Sequence, residues 1–519
     1  MRQLRTIALA ALAAGVTILV GAASPAGAGD NESGFKTSQP SMLTPLAQGS
    51  SVAPIMTVGE TLGSGYKLES IPDGISLRTR GQGRLDVYLN HETSLVPFPL
   101  DVLTGVGQSD YTNAMLSHLT LNQHSAGVLQ GKYVIPSSAN FQRFCSNFLA
   151  AAGAANGFER SLLFTNEEAT DFVNRTGVAW PPGANAEQAG VVVAYDPQRN
   201  EYKPIYGIGR YNHENTVAVP GYGHPVLLSG DDTFTAPSSQ LYMYTAASAA
   251  AVWNDEGALW AFKSDNPLVN DYSDLSGAAT ASGDFIPVPP AIAAGGQTGL
   301  ENWSNANNVF QFIRVEDIAF DRSQPNVVYF ADTGEPRALP SLDPAARMTR
   351  GPSGTLGPFP NGRVFKMVLD PDDETHVLSL SILIEGDPLG AASAGNTAFI
   401  HNPDNLETTE GSILIQEDPG SQNQYAASNA SGTTARIWRY NLSSGALTVV
   451  AKVDQSADPA ARQGSWESSG IVDASAAFGP GAFLVDVQAH TILTDVTQVG
   501  TLTFKREGGQ LMLLHVPGA

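Results

Sequence analysis

The chain has 519 residues and carries 28 Lys and Arg against 50 Asp and Glu, a formal charge of −22. A balance this acidic excludes a general nucleic-acid binder, which needs basic patches against phosphate backbones. The 42% share of hydrophobic residues excludes whole-chain disorder, and the single cysteine, Cys145, excludes an intramolecular disulfide framework.

Residues 1–28 read as a secretory signal peptide: Arg2 and Arg5 begin it, Ile7 to Ala23 carry no charge, and Ala26-Gly27-Ala28 offers a small-x-small cleavage site. The two arginines are not adjacent, which favours export as an unfolded chain over the twin-Arg route. A secreted or cell-envelope location follows, with no membrane span once the signal is removed. Residues 29–55, rich in Gly, Ser, Pro and Gln, read as a flexible leader.

Residues 56–519 read as one all-β domain. Pairs of short alternating strands around polar turns recur at Gly190–Tyr206, Gln240–Lys263, Gly362–Glu385, Ala435–Val453 and Gly500–Val516. Such hairpins over some 450 residues predict a single β-propeller of about six blades, with two stacked β-sandwiches as the alternative. Two stretches interrupt the pattern. Residues 97–160, with AMLSHLTL and NFQRFCSNFLAAAGAA, predict short helices in an insertion; residues 264–308 predict a long polar loop.

Acidic residues sit just after the short strand-like runs. Asn90-His91-Glu92, Asn166-Glu167-Glu168 and Asn212-His213-Glu214 follow three of them. Arg314, Glu316 and Asp317, then Asp404 and Asn405, Glu417-Asp418, Glu467 and Asp473, and Asp486 and His490 follow in later repeats. Carboxylates from different blades can converge at one end of a propeller axis, where their repulsion must be neutralised. Hard oxygen ligands suit Ca²⁺, which takes six to eight of them. Arg314 stands two residues before Glu316, so an extended segment puts both on one face, and a guanidinium beside metal-bound carboxylates matches a phosphate monoester. Taken singly, Arg314 reads equally well as a salt-bridge partner. His91 and His213 read as residues that orient a neighbouring Glu, and Cys145, between Phe144 and Phe148, as a small buried hydrophobe.

The ordered blocks YLNHET, LLFTNEE, GRYNHEN, SGDD with SQLYMY, RVEDIAFD, GRVFKMVLDP, NPDNLE and LIQED resemble the PhoX family of secreted bacterial alkaline phosphatases. The resemblance runs from about Leu85 to His490. It implies a propeller with a central iron and calcium cluster that hydrolyses phosphate esters of small molecules. It implies Glu167, Glu168, Glu214, Glu316 and Asp404 as metal ligands and Arg314 as the phosphate-binding residue; Glu92, placed behind a strand in the same way, is expected in the ligand set, and Asn405 in the catalytic set. The family places an iron-ligating Cys before the Glu pair; here Asn166 stands there, so calcium is the expected metal and iron is disfavoured. A monomer is expected. The readings in competition are a non-catalytic calcium-binding propeller and a calcium-dependent propeller hydrolase such as a lactonase.

Overall fold

The computed structural model describes residues 33–97, 107–233, 239–335, 359–388, 396–420, 423–429, 431–457 and 463–519. The signal-peptide segment lies outside them. Among the described residues no helix is long and apolar enough to cross a membrane.

Among the described residues successive antiparallel hairpins build six blades. Blade one comprises Pro72–Gly81, Arg84–His91, Met115–Asn122 and Val128–Ile135; blade two comprises Phe144–Ala150, Leu162–Glu167, Val192–Asp196 and Glu201–Ile205. Blades three (from His213–Ala218) and four (from Val315–Phe320) have four strands each, joined edge to edge by Thr280–Pro287 into one nine-stranded sheet. Blade five starts at Pro403–Thr408 and blade six at Glu467–Asp473. The first strand of each blade is innermost, and each touches the next around the ring, with Glu467–Asp473 returning to Pro72–Gly81. This closed ring is the predicted propeller.

Both faces of a blade are covered, so the strands are apolar on both sides. In Arg84–His91, Leu85, Val87 and Leu89 enter one core cluster and Tyr88 the next. Between blades three and four, Phe262, Phe285, Phe310, Phe312, Phe330 and Phe365 share one cluster.

Three local expectations need correction. The leader is not loose throughout: Leu43–Pro45 joins the edge of blade five, and Ser51–Thr57 becomes the outer strand of blade six. Ile55 and Met56 are fully buried there, so an N-terminal segment laces the C-terminal blades shut. In the 97–160 stretch, residues 98–106 lie outside the described residues, and from 107 to 150 strands stand where short helices were expected. AMLSHLTL lies within a central strand of blade one, paired on both sides, and Phe144–Ala150 is the inner strand of blade two. Cross-strand pairing overrides the helical propensity of Ala and Leu. The 264–308 loop is partly ordered into Thr280–Pro287 and two helices, Pro290–Ala293 and Gln297–Ala306. Gln297 at the start of the longer helix donates to Thr233 at 2.6 Å, next to the site.

Candidate metal centre

Among the described residues one register repeats in five of the six blades, and the inner strand of blade six pairs with the middle of a longer second strand. The first residue of the inner strand faces the end of the second strand: Pro72 opposite His91, Phe144 opposite Glu167, His213 opposite Asp231, Val315 opposite Asp332, and Pro403 opposite Glu417. In blade six Glu467 faces Gln488. A register shift follows within the next few residues in every blade. Such a bulge re-aims side chains at a strand end, so two consecutive residues of each inner strand serve the axis.

In blades one to five the second residues of the inner strands are Asp73, Cys145, Glu214, Glu316 and Asp404; in blade six it is the first residue, Glu467, that joins them. Behind them stand the residues just past the second strands, Glu92, Glu168, Asp232 and Asp418. Among the described residues most of these converge in four linked groups, each with its donor atoms within 4.8 Å of one another. The groups are Asp73, Glu92 and Cys145; Cys145, Glu168 and Glu214; Glu214, Glu316 and Asp404; and Asp404, Asp418 and Glu467. Gly74 permits this approach, because a Cβ there would lie 2.4 Å from the Asn147 amide nitrogen.

The third residues form a floor. Ser469 donates to Asn405 at 3.2 Å, Asn405 to Ser146 at 2.9 Å, and Ser146 to the Glu214 carboxylate at 3.0 Å. Asn215 donates to Asp317 in the same layer. The chain through Asn405 crosses from blade six to blade three.

The electrostatics are those of a site built for cations. Burial first, and then neighbouring carboxylates, push Glu92, Glu168, Glu214, Glu316, Asp404 and Glu467 well above the ordinary carboxylate range. Burial, followed by Asp73 and Glu214, pushes the Cys145 thiol up as well. Buried ionised carboxylates without countercharge cost several kcal/mol each. Asp73 Oδ1 and Asp404 Oδ1 are buried with no hydrogen-bond partner among the described residues. Oxygen donors with acceptor capacity to spare and one thiol fit a set of hard cations with one softer neighbour.

Arg314 borders the cluster. It is buried, and its Nε and Nη2 donate to Asp232 Oδ1 and Oδ2 at 2.5 and 2.6 Å, with Glu316 Oε1 3.4 Å away. Burial works against its charge, but the Asp232 and Glu316 carboxylates outweigh burial and hold it protonated.

Of the residues singled out from sequence, Glu92, Glu168, Glu214, Glu316 and Asp404 come together. Glu167 does not. Its carboxylate receives Arg175 at 2.6 and 2.7 Å and the backbone amides of Gln142, Gly190 and Val191, so it anchors a loop. Asn405 belongs to the floor, with both amide ends engaged. His91 is bonded through its two ring nitrogens to Ser70 and Ser117, and His213 to Ser229 and Gly209. The two Asn-His-Glu triplets are not one repeated motif: Glu92 follows a second strand, whereas Glu214 opens an inner strand.

The largest correction concerns Cys145, which is part of the cluster and not a packing residue. Asn166, expected at the thiol's place, donates to the Ser146 carbonyl and accepts from Thr216, bracing blades two and three. Sequence reading missed Asp73 and Cys145 as members, and named Asp418 and Glu467 among the clustered acids without placing them in the ligand set. The signal was present as a residue pattern, PDG, FCS, HEN, VED, PDN and ESS, visible only once the inner strands are superposed in register.

A family model described as alkaline phosphatase PhoX matches residues 141–471. The chain belongs to the PhoX alkaline phosphatase family. The matched span begins just before Cys145 and ends within the inner strand of blade six, so it holds Glu168, Glu214, Arg314, Glu316, Asp404, Asp418 and Glu467. No curated protein matches the sequence. Among solved structures, a protein of unknown function from Dyadobacter fermentans is similar at 8% identity and a TM-score of 0.41, covering 89% of this chain and 98% of its own. TolB from Acinetobacter baumannii gives 8% identity and a TM-score of 0.29, over 85% of this chain and 79% of its own. The NanB sialidase of Streptococcus pneumoniae gives 10% and 0.32, over 86% and 69%.

Proposed function

We propose that this PhoX-family chain is a secreted, metal-dependent phosphomonoesterase acting on small-molecule phosphate esters. The observation that carries the reading is the placement of Arg314 at the border of the linked carboxylate groups, 3.4 Å from Glu316. A lactonase needs no guanidinium there.

Asp73, Glu92, Glu168, Glu214, Glu316, Asp404, Asp418 and Glu467 would hold calcium, and Cys145 would give one position a thiolate suited to iron. Bound metal ions would supply Lewis-acid stabilisation of the phosphoryl oxygens and a lowered pKa for water. The chain's own residues do the rest. Arg314 receives the phosphate dianion through its planar fork, in exchange for Asp232. Its charge-assisted hydrogen bonds strengthen as negative charge builds on the phosphoryl oxygens. Ser146, held by Asn405, fixes the Glu214 carboxylate.

The test is hydrolysis of an aryl phosphate with added Ca²⁺ and after chelation, beside a lactone substrate. Chelator-sensitive hydrolysis of the phosphate alone supports the reading. Turnover of the lactone without the phosphate defeats it.

A further inference from the structure

At the opposite end of blade one lies a cleft unconnected with phosphate chemistry at the axis. Arg78 is five residues along the inner strand from Asp73, about 17 Å at roughly 3.3 Å per residue. The cleft has a volume of about 530 Å³, within the usual range for small-ligand sites. Blade one supplies its floor as two cross-strand rows. One row runs Arg78, Asp86, Thr120 and Gln130; the other joins Tyr88, His118 and Lys132. The hairpin of blade two, with Tyr195 and Pro197, forms the facing wall. Higher between the same two blades, apolar residues fill the space.

The charge in this cleft runs against that of the molecule. A chain of −22 places Arg78, Arg80 and Lys132 here around a single carboxylate. Asp86 is 1% exposed and receives Arg78 at 3.1 Å, Arg80 at 3.5 Å and His118 at 3.0 Å. Burial alone would raise Asp86, but the hydrogen bonds from His118 and Arg78 prevail and bring it down to about 2. Asp86 therefore stays ionised and orients two guanidinium groups. It cancels one of three fixed positive charges, and the surplus of two matches a dianion. Lys132 is exposed, and among the described residues no carboxylate lies within ion-pair distance of it.

We propose that this cleft binds a tetrahedral oxyanion, free phosphate or the phosphate head of a small molecule, at a site separate from the metal centre. Guanidinium forks suit such oxygens. The volume exceeds what phosphate alone fills. Tyr88 stacks on His118 at 4.9 Å and lies 5.9 Å from Tyr195, so the buried rings behind the cleft hold His118 against Asp86.

The test is calorimetric titration of the metal-loaded protein with inorganic phosphate and with phenylphosphonate, which is not hydrolysed. The expected result is a binding event that persists in Arg314→Ala and weakens about tenfold or more in Arg80→Ala/Lys132→Ala, the loss of one or more charge-assisted contacts. Aryl-phosphate hydrolysis by the double variant should match wild type. Lys132→Ala alone, which leaves every hydrogen bond of Asp86 in place, must weaken the same event. Tighter binding of phenylphosphonate identifies the head of a larger molecule; equal binding identifies the free anion. Isotherms unchanged in both cleft variants, or binding abolished by Arg314→Ala alone, overturn the proposal. A protein without hydrolysis that keeps the cleft event loses the phosphatase reading and retains this one.

Discussion

The Sγ of Cys145 lies 3.4 Å from Asp73 Oδ2, across the junction of blades two and one. The only thiol of the chain thus touches a carboxylate that begins the neighbouring inner strand, and it belongs to two of the four donor groups. A packing cysteine would sit among apolar side chains and leave this carboxylate alone.

Cys145→Ala is expected to lower metal content and to cut phosphatase activity by more than the about 10–100-fold typical of residues that only support a ligand. Asn166→Ala should keep its metal and lose about 1–3 kcal/mol of stability, because Ser146 and Thr216 lose a buried partner. Metal analysis of the two variants side by side checks this. Full metal in Cys145→Ala with depleted metal in Asn166→Ala reverses the assignment.

Arg314→Ala should reduce kcat/KM for a phosphate ester by about 100-fold or more, the scale of losing a preorganised donor to a developing oxyanion. Arg314→Lys should recover part of it, since an ammonium lacks the bidentate fork. Metal content should hold in the Lys variant. Unchanged kcat/KM in Arg314→Ala would make the residue a structural partner of Asp232.

Removing metal should make stability depend on pH in a defined direction. In the metal-free fold, burial pushes Asp73 up to about 6 and Glu92 up to about 8, whereas unfolded carboxylates titrate near about 4. A raised folded pKa stabilises below the unfolded value, and that stability is lost as pH climbs through the folded value. The Tm of chelated protein should therefore fall from about pH 4 to 8. Calcium replaces the protons, so the Tm difference between loaded and chelated protein should widen over the same window. A chelated Tm that is flat or rising from pH 5 to 8 contradicts a buried carboxylate cluster.

Ile55→Ala should cost about 2–4 kcal/mol in denaturant unfolding, because Ile55 is fully buried in the strand that closes blade six. Leu46→Ala, half exposed at 49%, serves as the control and should stay within about 1 kcal/mol. Equal effects would mean that the N-terminal strand adds nothing to ring closure.

The alternating hairpins made the propeller legible, because a period of two is a local signal. The six-blade ring itself came from register, which is not. Glu92, Glu168, Glu214, Glu316 and Asp404 stood out because each was read as following a strand; Glu92 and Glu168 do follow strands, whereas Glu214, Glu316 and Asp404 stand second in inner strands. Glu167 looked the same in one dimension and differs through Arg175, eight residues away, and the backbone amides of Gln142, Gly190 and Val191, which together hold its carboxylate out of the axis. Cys145 was hidden between phenylalanines, and nothing local shows that Phe144 turns into the core while Cys145 faces Asp73. Ser51–Thr57 was hidden by its composition, since its partner strand lies more than 440 residues downstream.

Elemental analysis of the purified wild-type protein against the combined Glu214→Gln and Asp404→Asn variant is the most direct test of a metal centre on the propeller axis. The four linked donor groups predict more than one metal ion per wild-type chain, calcium among them, and loss of at least one ion in the variant with folding retained by circular dichroism. Wild-type protein that binds no calcium or iron at millimolar supply, or a variant with its full metal complement, would contradict it.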